Sequence, residues 1–232
     1  MTPRLVDVAS ETQSAIDPRD AAAEANHRIA NNVSIIAGYV RSELSSFNPG
    51  TRLDIRSIRR TLQQLSLRID AIGRLHRLLT NSPGESNVEI SAYLREIVDA
   101  VSCSLPQDEN PDVLFLLDAR VQLPAEQAIV IGAIVSEALF NSVKHAHPRG
   151  VRPTICVGCR RSRPDRLLIE IEDDGIPLSR VLAGKDIHTG GAGAQLMRTL
   201  ARSLDAELEF ADANPGYAVR IDLPISDQAL QR

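Results

Sequence analysis

Pro124–Ala146 reads PAEQAIVIGAIVSEALFNSVKHA. Its apolar residues recur at nearly every angle of a helical turn, so a helix here has no face to give to water and belongs inside a core. Glu137, Asn141, Lys144 and His145 break the pattern at i, i+4, i+7 and i+8, all on one face. A buried polar group without a partner costs about 1–3 kcal/mol. The stripe therefore either serves a ligand or reaches solvent at the helix end. An Asn oxygen suits Mg2+, and a Lys meets phosphate charge.

Around this helix the grammar alternates. Ile90–Ser104 has the spacing of an amphipathic helix, and Val113–Leu117, Thr154–Cys159 and Leu167–Glu172 read as strands. Gly193–Leu204 reads as a helix, and Ala206–Ala211 with Tyr217–Leu223 as a closing strand pair across the turn Asn214-Pro215-Gly216. The predicted fold class of this half is α+β, a sandwich with helices on one face of a mixed sheet. Two turns in it have chemical uses. In Glu172-Asp173-Asp174-Gly175, Asp173 can accept a hydrogen bond from an amine, and Gly175 lets a flat ring approach the backbone. Gly190-Gly191-Ala192-Gly193 opens a helix, where free N–H groups and the positive dipole end suit phosphate; it is equally a flexible loop. Cys156 and Cys159 have metal-like spacing but no second pair, and on a strand they face opposite sides.

The N-terminal part has another rhythm. Residues 1–20 read as a flexible leader, 21–80 as a helical hairpin, 81–88 as a linker, and 89–232 as the sandwich. Ile29, Val33, Ile36, Val40 and Leu44 form one stripe, and Ile55, Ile58, Leu62, Leu65, Ile69, Ile72 and Leu79 keep heptad steps. One hairpin cannot cover both stripes, so a homodimer closing a four-helix bundle is expected. His27, Asn31, Ser34 and Gly38 fall in one narrow sector opposite Ile29, Val33, Ile36 and Val40, which predicts that His27 faces solvent while the far side packs. A neutral, exposed imidazole is a nucleophile; it is also an ordinary surface residue.

Composition limits the alternatives. Lys plus Arg total 26 and Asp plus Glu total 30, a formal charge of −4, which argues against nucleic-acid binding through a broad basic surface. Apolar residues make up 43%, enough for a core, while aromatics are only 3%, so that core is aliphatic. No uninterrupted apolar run has the length of a membrane span. Three cysteines without an export signal point to a cytoplasmic protein with reduced thiols.

Taken in order, these pieces resemble the core of a sensor histidine kinase of the HWE-related branch. Glu24, His27, Arg28, Asn31 and Asn32 stand where that branch has its E-x-x-H-R-x-x-N-N phosphoacceptor stretch, and Arg68–His76 looks like its second dimerisation helix. Glu137, Asn141, Lys144 and His145 match the N-box of the Bergerat-type ATP-binding fold. Asp173 and Gly175 match its first glycine box, Gly191 and Gly193 its second, and Gly216–Pro224 its closing strand. The resemblance implies ATP with Mg2+ on Asn141, Glu137 as polarising or base residue, Lys144 and His145 at the phosphates, and Asp173 at the adenine. His27 would take the γ-phosphoryl group, with Arg28 and Asn31 beside it in the catalytic set, and pass it to an aspartate of a response-regulator receiver domain. A separate sensor protein is a further partner it implies. The chain departs from the pattern where Pro177 replaces the second glycine of D-x-G-x-G, where only Arg180 and Lys185 supply cations in a short lid, and in having no Trp. These departures leave open an ATP-independent histidine phosphotransferase or receiver phosphatase built on the same dimer.

Overall fold

The computed structural model describes residues 87–105, 107, 110–147, 151–177 and 192–225, together with positions 30, 33–41, 44, 55, 58, 62, 65, 66, 69, 70 and 73 of the N-terminal part. Every described position between 30 and 73 is α-helical. His27, Arg28, Asn31, Gly191 and the stretch 178–190 lie outside the described residues, as do the leader and most of the linker.

The sandwich runs β1 (Asn87–Glu89), α1 (Ile90–Ser102), β2 (Asp112–Leu117), β3 (Gln122–Pro124), α2 (Ala125–His145), β4 (Thr154–Arg163), β5 (Arg166–Asp173), α3 (Ala192–Arg202), β6 (Glu207–Asp212) and β7 (Tyr217–Pro224). Five strands form a mixed sheet in the order β2-β4-β5-β7-β6. The β2–β4 pair is parallel, and the other pairs are antiparallel. Alternation along β4 sends Ile155, Val157 and Cys159 into the core, while Cys156 lies on the other face. The helices pack on the inner face, where Ile155, Val157, Ile169, Ile171, Val219 and Ile221 meet the α2 side chains in one aliphatic cluster. α2 is the centre of this layer. Each residue from Ala128 to Phe140 is buried, as expected of a helix with no polar side. It also reaches the length and apolar content of a membrane span, yet most of it is covered by this core.

The elements predicted for the sandwich are all present, with ends shifted by a few residues. Two were missed. β1 and β3 pair antiparallel over three residues each, Asn87 opposite Pro124. The expected linker thus already contains strand at Asn87 and Val88. Three residues are too few for a period to register, and their place is fixed by burial of Leu123 and by Ile90 N–H donating to the Val121 carbonyl at 3.0 Å. Glu89 then caps α1, its carboxylate accepting from Ser91 N at 3.0 Å and Ala92 N at 2.7 Å. β4 runs on to Arg163 although Arg160-Arg161-Ser162-Arg163 has no apolar alternation. Pairing with β5 holds that extension in place.

The N-terminal helix makes a contact the sequence reading did not anticipate. The side that carries Gly38 packs on the sandwich, while on the stripe opposite Ile36 is partly covered and Val33, Val40 and Leu44 are exposed. Ile35 and Tyr39 join the core cluster. The Tyr39 hydroxyl, 1% exposed, donates to the Ala133 carbonyl of α2 at 3.1 Å. A Cβ on Gly38 would stand 2.6 Å from Leu196 Cδ1 of α3. Val33 is 59% exposed and Leu44 64%, and Val40, Ile55, Ile58 and Leu62 are exposed as well. The reason is that α2 and α3 offer an apolar surface of the same chain, and the small residues on the Gly38 side let two helices approach closely.

Candidate nucleotide site

The site is assembled where α2, α3 and the β5–β7 ends converge. Glu137 is 1% exposed, on the last fully buried turns of α2, and Asn141 follows one turn later, half-buried. Gly193, in the first turn of α3, faces both. An added Cβ there would press on Glu137 Oε1, lie 3.1 Å from its carboxyl carbon, and lie 3.6 Å from Asn141 Nδ2. Only glycine leaves that room. The predicted N-box and second glycine box therefore meet in space through Glu137, Asn141 and Gly193. Lys144 and His145 lie beyond, exposed on the last turn of α2, where a cation also complements the helix dipole.

Asp173 forms the second pole. It ends β5, is 3% exposed, and faces Tyr217 across the sheet. Its Oδ1 accepts from Gly175 N at 3.0 Å. Burial pushes its carboxyl above the ordinary value, and hydrogen bonds from the Ser142 side chain and the Gly175 and Tyr217 backbone pull the other way. The carboxylate is thus fixed by three donors from three elements. Gly216 holds a left-handed φ of 104° and packs against the Asp173 carbonyl, a contact no side chain permits. Gly175 packs equally closely on Ala146, and Ile176 N donates to the Ala146 carbonyl at 3.1 Å. Pro177 follows this contact half-buried. The acidic turn is thereby seated on the end of the helix that carries Glu137 and Asn141.

Oxygen donors at Asn141 and Glu137 fit a hard cation. Among the described residues no group of three or more His, Cys, Asp or Glu side chains could hold a metal by itself. That donor set suits Mg2+, which is bound through few protein ligands together with phosphate and water.

A family model described as "Histidine kinase" matches residues 24–105, and one described as "Histidine kinase-like ATPase domain" matches residues 113–222. The chain belongs to the histidine kinases, in the HWE-related branch. Blue-light-activated histidine kinase 2 of Erythrobacter litoralis (strain HTCC2594) is 27% identical over 209 residues, 89% of this chain and 57% of that protein. The chain thus spans little more than half the length of the curated relative it matches. Two solved structures share the fold. The Erythrobacter litoralis EL346 blue-light activated histidine kinase has a TM-score of 0.65 at 23% identity, over 96% of this chain and 64% of that one. Its histidine kinase domain has a TM-score of 0.57 at 21% identity, over 85% and 98%.

Within this histidine kinase core, sequence reasoning missed Ser142, His147 and Tyr39. Ser142 follows Asn141 on a helix where every polar residue needs a reason, a signal that was available. His147 and Tyr39 find their partners 27 and 94 residues away, and no local pattern announces contacts at that separation.

Proposed function

We propose that this kinase core binds Mg·ATP between α2, α3 and the Asp173 turn, and phosphorylates its own His27. The observation that carries the reading is Gly193: its missing side chain lets the start of α3, which suits phosphate, come directly against Glu137 and Asn141. Asp173, an acceptor held in place by three donors, suits the exocyclic amine of adenine. Asn141 holds the metal, which neutralises phosphate charge, and Lys144 and His145 reach the phosphate end. Glu137 polarises or accepts the imidazole proton. A ring nitrogen of His27 attacks the γ-phosphorus, a P–N bond forms, and ADP leaves. Little covalent help is needed; positioning and charge neutralisation lower the barrier. The phosphoryl group then passes to an aspartate of a receiver domain, with Arg28 and Asn31 flanking the imidazole in sequence.

The uncovered stripe Val33, Val40, Leu44, Ile55, Ile58 and Leu62 supports a homodimer joined through the hairpins. Reduced cysteines and a receiver partner go with a cytoplasmic setting. Pro177, which fixes φ and removes an N–H where the pattern has glycine, favours a second reading in which the same dimer relays or removes phosphoryl groups without ATP. Incubation with radiolabelled ATP separates the two. Wild type becomes labelled, and His27→Gln and Asn141→Ala do not; equal labelling of His27→Gln refutes the autokinase. Absence of saturable Mg·ATP binding leaves only the relay.

A further inference from the structure

We propose that His147 and Asp174 are positioning residues for the base end of the nucleotide site, acting through Asp173; the inference rests on the ATP reading above. His147 lies just past the end of α2, and Asp174 is the residue after Asp173. His147 Nε2 and Asp174 Oδ1 are 2.8 Å apart, with the side chains 23% and 38% exposed. The same oxygen accepts from Thr154 N at 2.9 Å, and Asp174 N donates to the Thr154 carbonyl at 3.2 Å. Asp174 is therefore a node between the end of α2 and the first residue of β4.

The turn that holds Asp173 has few other constraints on its outer side. Gly175 contributes no side chain, and its N–H is already used by Asp173. The inner side is seated on Ala146 through Gly175 and Ile176. Remove the imidazole, and the hydrogen bonds that Asp174 keeps among the described residues are those with Thr154. A carboxylate that must meet one amine with hydrogen-bond accuracy is sensitive to such rotation, because the bond weakens steeply with angle. Burial by itself would raise the Asp174 carboxyl. The hydrogen bonds from His147 and Thr154 outweigh it and hold the group below the usual carboxylate range, so the node keeps its charge at neutral pH.

The test uses the full chain and Mg·ATP. Calorimetry on His147→Ala should give a dissociation constant raised about 3–10-fold, within the range expected for partial loss of one charge-assisted bond. KM for His27 labelling should rise in parallel, and kcat should change less than KM. His147→Gln, whose amide can still donate to Asp174, should recover most of the affinity. Asp174→Asn, which keeps the acceptor and loses the charge, gives a second measure if His147→Ala folds poorly, and should also raise the dissociation constant. Unchanged affinity in His147→Ala and Asp174→Asn, whatever their thermal stability, overturns the proposal, as does a His147→Gln protein no better than His147→Ala. Wild type that fails to bind Mg·ATP overturns the ATP reading itself, a result the variants are not needed to recognise.

Discussion

Replacing Gly193 with alanine adds one methyl group at the most crowded point of the site. The new carbon would lie 3.1 Å from Glu137 Cδ and closer still to Oε1, whereas carbon atoms rest at about 3.5–4.0 Å. Glu137 is 1% exposed, so its side chain relieves the contact by moving among buried neighbours. Either its side chain leaves a staggered rotamer, at about 0.5–1.5 kcal/mol, or α3 rides outward. Overpacking of this kind costs about 1–3 kcal/mol in total. Alanine returns up to about 1 kcal/mol of helix propensity, less here because the site lies in the first turn. The net loss of stability is therefore about 0–3 kcal/mol, less than the whole stability of a typical domain. The functional loss is larger, because both relaxations displace Glu137 or narrow the phosphate end. We expect His27 labelling by radiolabelled ATP to fall at least about tenfold, a barrier increase of only about 1.4 kcal/mol, with thermal unfolding lowered by no more than about 12 °C.

Gly158→Ala is the control. It lies in mid-strand on β4, where an added Cβ meets Glu170 Cβ at 3.7 Å and two carbonyl oxygens at 3.9 Å, ordinary contacts. Alanine there should leave labelling unchanged and hold or slightly raise stability, since glycine in a strand interior is itself unfavourable. Equal labelling and nucleotide affinity for Gly193→Ala and wild type would refute the argument that Glu137 and α3 share this space.

Three further outcomes follow from the same geometry. Because burial raises the Asp173 carboxyl in the folded state, its contribution favours the fold at low pH and is lost as pH rises through the folded value. Asp173→Asn should therefore be no less stable than wild type at pH 7 by denaturant unfolding, with any advantage shrinking toward pH 4, while Mg·ATP binding disappears; a clear loss of stability at pH 7 contradicts this. Gly38→Leu, at a position where even a Cβ stands 2.6 Å from Leu196 Cδ1, should release the N-terminal helix and speed amide exchange over 33–41, whereas Gly38→Ala should come out near neutral because helix propensity offsets a rotated Leu196. Val40→Glu combined with Ile58→Glu should reduce the species seen by light scattering from dimer to monomer and leave ATP affinity intact; an unchanged mass places the dimer contact elsewhere.

How much of this was legible depended on whether the signal was local. The burial of α2 could be read from Ile129 to Phe140, because an all-apolar helix has only one place to go. Glu137 and Asn141 stood out against that background, and Gly193 could be matched to them by order along the chain. Their mutual contact could not be read, since it depends on how closely α3 approaches α2. Asp173 was found, but not the Ser142 hydroxyl or the Tyr217 N–H that hold it, which arrive from a helix and from a strand 44 residues later. The three-residue strands β1 and β3 were hidden by brevity. The contact of Ile35, Gly38 and Tyr39 with the sandwich could not be read, because it depends on the surface that Leu196 and Ala133 offer from distant parts of the chain.

That competition explains why the helix has two apolar sides. Ile35 and Tyr39 point into the catalytic sandwich, and Val33, Val40 and Leu44 point away from it. A helix that is apolar on opposite faces gains little from standing in water. The first face is covered by α2 and α3 of the same chain, and covering an aliphatic or aromatic side chain contributes about 1.5–3 kcal/mol. The second face has no cover among the described residues. If a dimer partner covers it, the helix that carries the phosphoacceptor sequence is held from both sides at once. The two contacts then differ in kind. The contact with the sandwich combines a glycine gap at Gly38, the Tyr39 hydroxyl and the buried Ile35 and Tyr39 side chains. The heptad stripe is longer and is apolar at every one of its described positions, Ile55, Ile58, Leu62, Leu65 and Ile69. A dimer joined through that stripe would leave the contact between the helix and the sandwich intact, because the two use different faces.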